Sequence, residues 1–338
     1  MNDFEIVMVD DASTDETKKI MVTLSQNHHN IKCFYHDKNL GGGATRNTAV
    51  EKSESKVIFC LDSDDILPQN TLNKMLLCID DKKSDAVAIN TSIKFRGKNK
   101  EDIERIDTFG YAGEEIPFQS LLQKDGILCP LYSTFMITKE AFNKIGGYPT
   151  DHGFDTQGLA WRFLLNGLTA YTCPDTKYLH RVGFHRSYYL REYYAGKINR
   201  NWKLIFEEFL LIFSEEARKI IIDFRTDRTD ESIIDIVNSI ENPWAKNANE
   251  LIPSKDKKTL PKEEIAIINE KTLKIASRKS PKILIKIILR KLKKDWPLVY
   301  SSALHLYIFI NNLKNIITER KEKRDYYKAI EKIKENKE

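Results

Sequence analysis

An α/β fold, a mixed sheet flanked by helices, is what this sequence predicts, and three strand-end patterns predict it. Residues 57–61 are apolar throughout and stop abruptly at Asp62-Ser63-Asp64-Asp65. Residues 4–9 form a second apolar strand, which ends in Asp10-Asp11-Ala12-Ser13-Thr14-Asp15. Between them, residues 39–47 place Gly41-Gly42-Gly43 at the entry to a helix that carries Arg46. In open α/β sheets ligands bind outside the carboxyl ends of strands, so both acidic ends fall where a site belongs.

Three acids crowded at the end of the 57–61 strand repel one another unless a cation or ligand hydroxyls lie between them. Oxygen-only donors suit Mg²⁺ or Mn²⁺, which typically bind one or two carboxylates together with substrate phosphates. The plain alternative is an acidic turn in which Asp65 caps the next helix. The second acidic end and the glycine turn with its Arg tilt the balance. Carboxylates can accept from a base and a ribose, and a cation site plus an Arg can hold a diphosphate, which is the layout of a nucleotide site.

At this point the chain resembles a known family, the inverting family 2 glycosyltransferases of GT-A (Rossmann-like) fold, which use nucleotide-diphosphate sugars. The matching pieces are Val9-Asp10-Asp11-Ala12-Ser13-Thr14-Asp15, Asn39 to Asn47, Leu61-Asp62-Ser63-Asp64-Asp65, Ile145-Gly146-Gly147-Tyr148, and the stretch from Asp155 to Gly167. Each is weak alone; together and in order they are specific, and they cover residues 3–190. The resemblance implies a metal, Mn²⁺ or Mg²⁺, held by Asp64 or Asp65, with Asp10, Asp11 and Asp62 on the base and ribose. Arg46 is a further nucleotide or phosphate contact, although an Arg in a first helical turn equally pairs with a local acid. Some relatives use a late histidine on the metal or diphosphate; His180 and His185 both qualify and spacing does not choose. Arg181 and Arg186 are candidates for the pyrophosphate, since guanidinium forks match phosphate oxygens.

The family opens with an apolar strand ending in Pro-x-Tyr-Asn, which the resemblance places centrally, between the strands at Phe4 and Val57. Only three residues precede Phe4, so this first strand is expected to be missing, with backbone groups of its neighbours left unpaired. Either Met1 is a misplaced start or the chain is a truncated relative.

The acceptor half follows. Residues 85–90 and 133–137 read as strands, 98–115 as a polar excursion, and 139–145 as a short helix stopped by Gly146-Gly147. Leu159, Phe163 and Leu164 mark one face of a helix that Asp155 opens. In the family an acidic pair opens this helix and supplies the base that deprotonates the acceptor hydroxyl. Here the pair falls on Asp155 and Thr156, so the second acid is absent. Asp155 is the candidate base, with Asp151 in reserve; the alternative is that Asp155 only caps the helix. Trp161 reads as core.

Beyond residue 195 the character changes, giving an N-terminally short GT-A domain over 1–195 and a helical C-terminal region over 196–338. Residues 201–214 and 215–224 are helical in pattern, whereas 227–261, punctuated by Pro243, Pro253 and Pro261, reads as linker. Residues 271–294 contain no acid, and Ile283, Leu284, Ile287, Ile288 and Leu292 form an apolar stripe with Trp296 beyond. A basic amphipathic helix of this kind fits an anionic membrane surface; the rival is a helix docked on the catalytic domain. No run approaches the ~18 apolar residues of a membrane span and no signal peptide opens the chain. The five cysteines show no CxxC pairing and read as reduced thiols. The expected location is cytoplasmic, at the inner face of the cell membrane. The net charge of +5 comes with no recognised module or aromatic platform for nucleic acid, so that class is set aside.

The expected activity is transfer of a sugar from a nucleotide-diphosphate sugar, best a UDP-sugar, to a hydroxyl of a glycan or lipid-linked acceptor, with inversion. Two alternatives stand beside it: a non-catalytic relative that binds nucleotide, favoured by Thr156 and the short N-terminus, and a membrane-associated scaffold.

Overall fold

The computed structural model describes residues 4–97, 100–122, 128–182, 196–227 and 231–253. The amphipathic segment at 271–310, His185 and Arg186 lie outside the described residues. The chain divides into two compact units, Met1–Leu260 and Pro261–Glu338, and all described residues belong to the first. The boundary that the sequence suggests at 195 falls inside this unit.

Strand β1 (Ile6–Asp10) pairs in parallel with β2 (Ile31–Tyr35), from Ile6 opposite Ile31 to Asp10 opposite Tyr35, and helix α1 (Thr17–Asn27) connects them. Helix α2 (Gly42–Lys52) leads to β3 (Val57–Phe59) and α3 (Thr71–Lys82) to β4 (Ala86–Arg96). The long β4 is the axis of a mixed five-stranded sheet. It runs antiparallel to β5 (Ile103–Thr108) and β6 (Phe135–Thr138) and parallel to β7 (Ala170–Val182), while β3 pairs antiparallel with β6. Helices α4 (Lys139–Lys144) and α5 (Asp155–Leu165) precede β7. This is the mixed α/β architecture expected from the sequence.

Among the described residues β1 and β3 are not paired with each other, and the sheet divides between them. No described strand occupies the central place that the family resemblance implies. Parallel strands are normally covered on both faces, yet Phe4 is 45% and Ile6 40% exposed. One side chain spans the division. Glu5 Oε1 accepts from Ser53 Oγ (3.0 Å), the Glu54 N–H (2.6 Å) and the Ser55 N–H (2.9 Å), and Oε2 lies 3.0 Å from Lys32 Nζ. Burial alone would raise the Glu5 carboxyl; its bonds to Lys32, Ser55, Glu54 and Ser53 outweigh that and bring it down to about 2 from an ordinary 4.5.

The charged form is therefore favoured by folding. Its contribution is complete above pH 4.5 and is lost as pH falls through about 2. Glu5→Gln is expected to destabilise the fold by about 1–2 kcal/mol at pH 7, allowing for solvent screening. Denaturant melts of both proteins should show that gap closing steadily below pH 4.5.

The main core centres on α5. Trp161 is fully buried, its ring 5.4 Å from Phe206, 5.8 Å from Phe213 and 6.0 Å from Trp244. Its indole N–H donates to Tyr132 Oη at 2.7 Å, so the polar end of the ring is satisfied inside the core. The core reading of Trp161 holds.

Helix α6 (Ile198–Glu208) and α7 (Glu215–Asp223), the latter capped by Ser214 Oγ, pack on this cluster. Over residues 231–253 the linker reading of 227–261 is corrected. Ile233–Ser239 forms helix α8, which buries Ile233 and Val237, and Trp244 stacks on Phe213 at 5.5 Å. Pro243 serves as an acceptor there, its carbonyl taking the Ser214 N–H at 2.8 Å. The polar excursion at 98–115 likewise contains a strand, β5, whose residues are almost all exposed. Among the described residues no helix is long and apolar enough to cross a membrane.

Candidate functional site

The carboxyl ends of β1 and β3, the start of α2, the start of α5 and the end of β7 supply the candidate site. The glycine turn owes its form to Asp11, whose carboxylate accepts the Leu40 and Gly41 N–H groups at 2.8 Å each. Gly41 has φ +90°, a conformation in which a side chain is strained. His36 Nδ1 donates to the same carboxylate at 2.7 Å, and Thr48 Oγ1 lies 3.0 Å from His36 Nε2. Burial would raise the Asp11 carboxyl, but His36 and the two backbone donors lower it further than burial lifts it. Both Asp11 oxygens are thus engaged in shaping the loop. Neighbouring Asp10 is buried, and its carboxylate oxygens share one long bond, 3.3 Å to each, from the Ser13 N–H.

Helix α2 then approaches the acceptor half closely. A Cβ on Gly43 would stand 2.2 Å from the Pro149 carbonyl oxygen. One turn on, Asn47 Nδ2 donates to the Tyr148 carbonyl at 2.9 Å and its Oδ1 accepts the Tyr148 N–H at 2.8 Å. This explains two of the sequence motifs at once: the glycines admit the contact and Asn47 clamps the residue after Gly146-Gly147.

Arg46 joins the two halves. Its Nη1 lies 2.5 Å from Asp155 Oδ2 and its Nη2 2.6 Å from Asp62 Oδ1, with the guanidinium over the Tyr148 ring. Burial would lower the Arg46 pKa, but Asp62 and Asp155 raise it well above the ordinary value. Asp155 Oδ1 also accepts the Thr156 N–H at 2.9 Å. A cavity of about 100 Å³ opens beside this bridge, lined by Arg46, Asp62, Asp65, Tyr148, Thr156 and His180 among others. Reserve candidate Asp151 is 63% exposed, with its carboxylate 4.0 Å from His152 Nε2.

The acidic turn after β3 is stitched to the end of β7 by paired backbone bonds between Ile66 and Leu179, both 2.9 Å. Asp65 accepts the Arg181 N–H at 3.0 Å and lies 3.3 Å from His180 Nδ1. Asp64 is raised above the ordinary carboxylate value by burial first, then by the charges of Asp65 and Asp62. The Arg181 guanidinium lies over Phe95 at 4.5 Å and donates to the backbone carbonyls of Asp64 and Gly97.

Among the described residues no group of three or more His, Cys, Asp or Glu side chains converges as a complete metal cage. The donors present still fit Mg²⁺ or Mn²⁺ bound in the open manner, in which one or two protein groups hold the ion and phosphate oxygens and water complete its shell. Asp65 with His180, and Asp64 alongside with its elevated carboxyl, provide such groups. Of the residues singled out from sequence, Arg46, Asp62, Asp65 and His180 share one cavity lining, Asp155 joins them through Arg46, and Asp10 and Asp11 sit at the end of the separate β1–β2 sheet. Sequence reasoning passed over His36; Asn47 and Tyr148 stand inside two of the quoted motifs, but nothing in their spacing reveals that they clamp each other.

Residues 1–146 match the sequence model described as "Glycosyl transferase family 2". Among curated proteins, the chain is 38% identical over 98 residues to the poly(ribitol-phosphate) beta-N-acetylglucosaminyltransferase TarS of Staphylococcus aureus, which covers 29% of this chain and 16% of TarS. It is 29% identical over 144 residues to the putative teichuronic acid biosynthesis glycosyltransferase TuaG of Bacillus subtilis, covering 42% of this chain and 53% of TuaG. The match thus spans only part of either relative. Among solved structures, S. aureus TarS 1–349 in complex with UDP-GlcNAc aligns with a TM-score of 0.47 at 24% identity, over 64% of this chain and 61% of that one. The N-terminal part of the chain, which builds β1 to β6 and the acidic strand ends, is the part that matches Glycosyl transferase family 2.

Proposed function

We propose that this protein transfers a sugar from a nucleotide-diphosphate sugar, a UDP-sugar in the first instance, to a hydroxyl of a glycan or lipid-linked acceptor. The observation that carries this reading is the Arg46 bridge between Asp62 and Asp155 at one cavity. It brings a strand-end carboxylate of nucleotide type and the candidate base of the acceptor half to the same guanidinium. The family match of residues 1–146 supports the reaction class, and the similarity to the N-acetylglucosaminyltransferase TarS points the same way.

In this reading Asp10 and Asp62 hold base and ribose, and Asp11 acts by fixing the glycine turn. A divalent cation at Asp64, Asp65 and His180 would supply charge neutralisation of the diphosphate. Arg46 is the pivot. A diphosphate is a stronger partner for a guanidinium fork than a single carboxylate, so donor binding draws Arg46 from Asp155. The released carboxylate then takes the acceptor proton. The acceptor oxygen bonds to the anomeric carbon from the face opposite the diphosphate, the carbon–diphosphate bond breaks, and its electron pair leaves with the nucleoside diphosphate. A single displacement of this kind inverts the anomeric configuration.

The second reading, a relative that binds nucleotide without transfer, is favoured by one observation. Thr156, not Asp155, lines the cavity, and Asp155 is held in an ion pair. The discriminating experiment is UDP release from UDP-N-acetylglucosamine and other UDP-sugars with Mn²⁺ and polyol-phosphate or glycan acceptors, with the product's anomeric configuration read by NMR. Acceptor-dependent release with inversion supports transfer. Binding of UDP without release from any donor identifies the non-catalytic case.

A further inference from the structure

One histidine takes no part in the proposed chemistry, yet three elements meet at its ring. The β1–β2 ladder runs one residue past Tyr35, where the His36 N–H donates to the Asp10 carbonyl at 2.9 Å. That bond sets the His36 side chain between the carboxyl end of β1 and helix α2. Nδ1 reaches Asp11 Oδ1 at 2.7 Å, and Nε2 reaches Thr48 Oγ1 on α2 at 3.0 Å. The two side chains are only 10% and 17% exposed, so little water competes for the bond between them. Against a carboxylate, Nδ1 is the donor; in the neutral ring Nε2 then accepts from the Thr48 hydroxyl. Both ring nitrogens are engaged, and the ring cannot turn without breaking both bonds.

The carboxylate held in this way is the one that forms the glycine turn. Its Oδ1 takes the Leu40 N–H beside His36, its Oδ2 takes the Gly41 N–H, and the Asp11 carbonyl accepts from Asn39 Nδ2 at 3.2 Å. Gly41 in turn opens α2: its carbonyl accepts the Thr45 N–H at 3.0 Å and Thr45 Oγ1 at 2.9 Å. The Arg46 guanidinium folds back over this turn, so closely that a Cβ on Gly42 would lie 3.0 Å from Nη1. A chain of hydrogen bonds therefore runs from Thr48 through His36 and Asp11 to the turn beneath the Arg that bridges Asp62 and Asp155.

We propose that His36 is a positioning residue for donor binding: it fixes the rotamer of Asp11, so that the glycine turn and the Arg46 guanidinium are set before the nucleotide arrives. This rests on the reading of Arg46 as the diphosphate contact. Setting a binding group in advance acts on affinity, because the ligand no longer has to order it. Loss of the device therefore falls on the donor KM, while kcat, which depends on Asp155, is held. A histidine that only filled space would act through its volume, and polar replacements would fail or serve alike. The two ring positions separate these cases. In His36→Asn the amide nitrogen falls near the place of Nδ1 and can still donate to Asp11. In His36→Gln it falls near the place of Nε2, beside Thr48, and leaves Asp11 without its donor.

The test takes three readings on the full chain: thermal melting, hydrogen–deuterium exchange over residues 39–43 without ligand, and calorimetric titration of UDP with Mn²⁺. His36→Asn is expected to match the parent in exchange and in affinity. His36→Gln should exchange faster over 39–43 and bind UDP about tenfold more weakly, the scale of one hydrogen bond to a charged group. Its donor KM should rise by the same factor with kcat unchanged. A His36→Gln variant that exchanges and binds like the parent, or equal losses in the Asn and Gln variants, overturns the proposal. Should the His36 variants fail to fold, Thr48→Val keeps the ring and removes only its anchor on α2. Faster exchange over 39–43 in that variant is expected, and exchange equal to the parent's overturns the proposal. A parent that binds no UDP contradicts the proposed donor instead, while the exchange, read without ligand, still decides whether His36 sets the turn.

Discussion

Asp155→Asn is expected to lower the turnover number for sugar transfer by about 10²–10⁴-fold, the usual scale for loss of a positioned general base. UDP should bind at least as tightly, because the diphosphate no longer competes with the Asp155 carboxylate for Arg46. The substitution is isosteric, and Arg46 keeps Asp62 as a partner 2.6 Å away. The fold should therefore lose only the Asp155 half of the bridge, about 1–2 kcal/mol. Steady-state kinetics beside a thermal melt separate the two effects. Asp151→Asn is the control. Its carboxylate is largely exposed and lies 4.0 Å from His152, whereas Asp155 holds Arg46, and its kcat should stay within about twofold, as expected for a largely exposed side chain. A large loss at Asp151 with little loss at Asp155 would transfer the base role to the reserve candidate.

Gly43→Ala is expected to destabilise the protein by about 3 kcal/mol, with Tm falling by roughly 6–10 °C. In an ordinary helix the sign is opposite, because alanine is the better helix former by about 1 kcal/mol. Here the added methyl would stand 2.2 Å from the Pro149 carbonyl oxygen and 3.2 Å from Asp155 Cβ. The first of these is main chain, so α2 or the 148–155 segment must shift. Gly42→Ala makes the useful contrast: its methyl meets only the Arg46 and Asp155 side-chain ends at 3.0 Å. That variant should stay closer to the parent in Tm and lose function instead, through displacement of the bridge. Equal stability of Gly43→Ala and parent would mean that α2 does not pack as described.

The strand ends were legible in the sequence because apolar side chains give way to carboxylates there within one residue. Leu61 to Asp62 and Val9 to Asp10 are such steps, and the core-facing helix α5 showed through Leu159, Phe163 and Leu164. Strand β5 was hidden because an edge strand exposed on both faces carries charges such as Glu104, Arg105 and Asp107. Helix α8 was hidden by the prolines around it, one of which accepts a hydrogen bond in the folded chain.

The site was legible as a set of residues but not as a set of contacts. Nothing in the spacing links Arg46 to Asp155, 109 positions later. Nor does the motif reveal that Asp11 is consumed by His36 and the glycine turn while Asp10 stays largely unengaged. Arg181 looked like a phosphate ligand by composition, yet its stacking on Phe95 and its bonds to Asp64 and Gly97 carbonyls arise only from the β4–β7 pairing. Sequence patterns encode which chemistry is present; the long-range pairings decide which groups remain for a ligand.

The central claim, that the acidic turn after β3 completes a nucleotide and cation site, is tested most directly by calorimetric titration of UDP in the presence of Mn²⁺. The parent is compared with Asp64→Asn, which leaves the Asp65–Arg181 hydrogen bond in place, and with the Asp64→Ala, Asp65→Ala double variant. The account predicts saturable binding to the parent at one site per chain. Affinity should weaken at least about tenfold in Asp64→Asn, a difference of 1.4 kcal/mol or more, and binding should vanish in the double variant. A well-folded parent that binds no UDP, or variants that bind it as tightly as the parent, would contradict it.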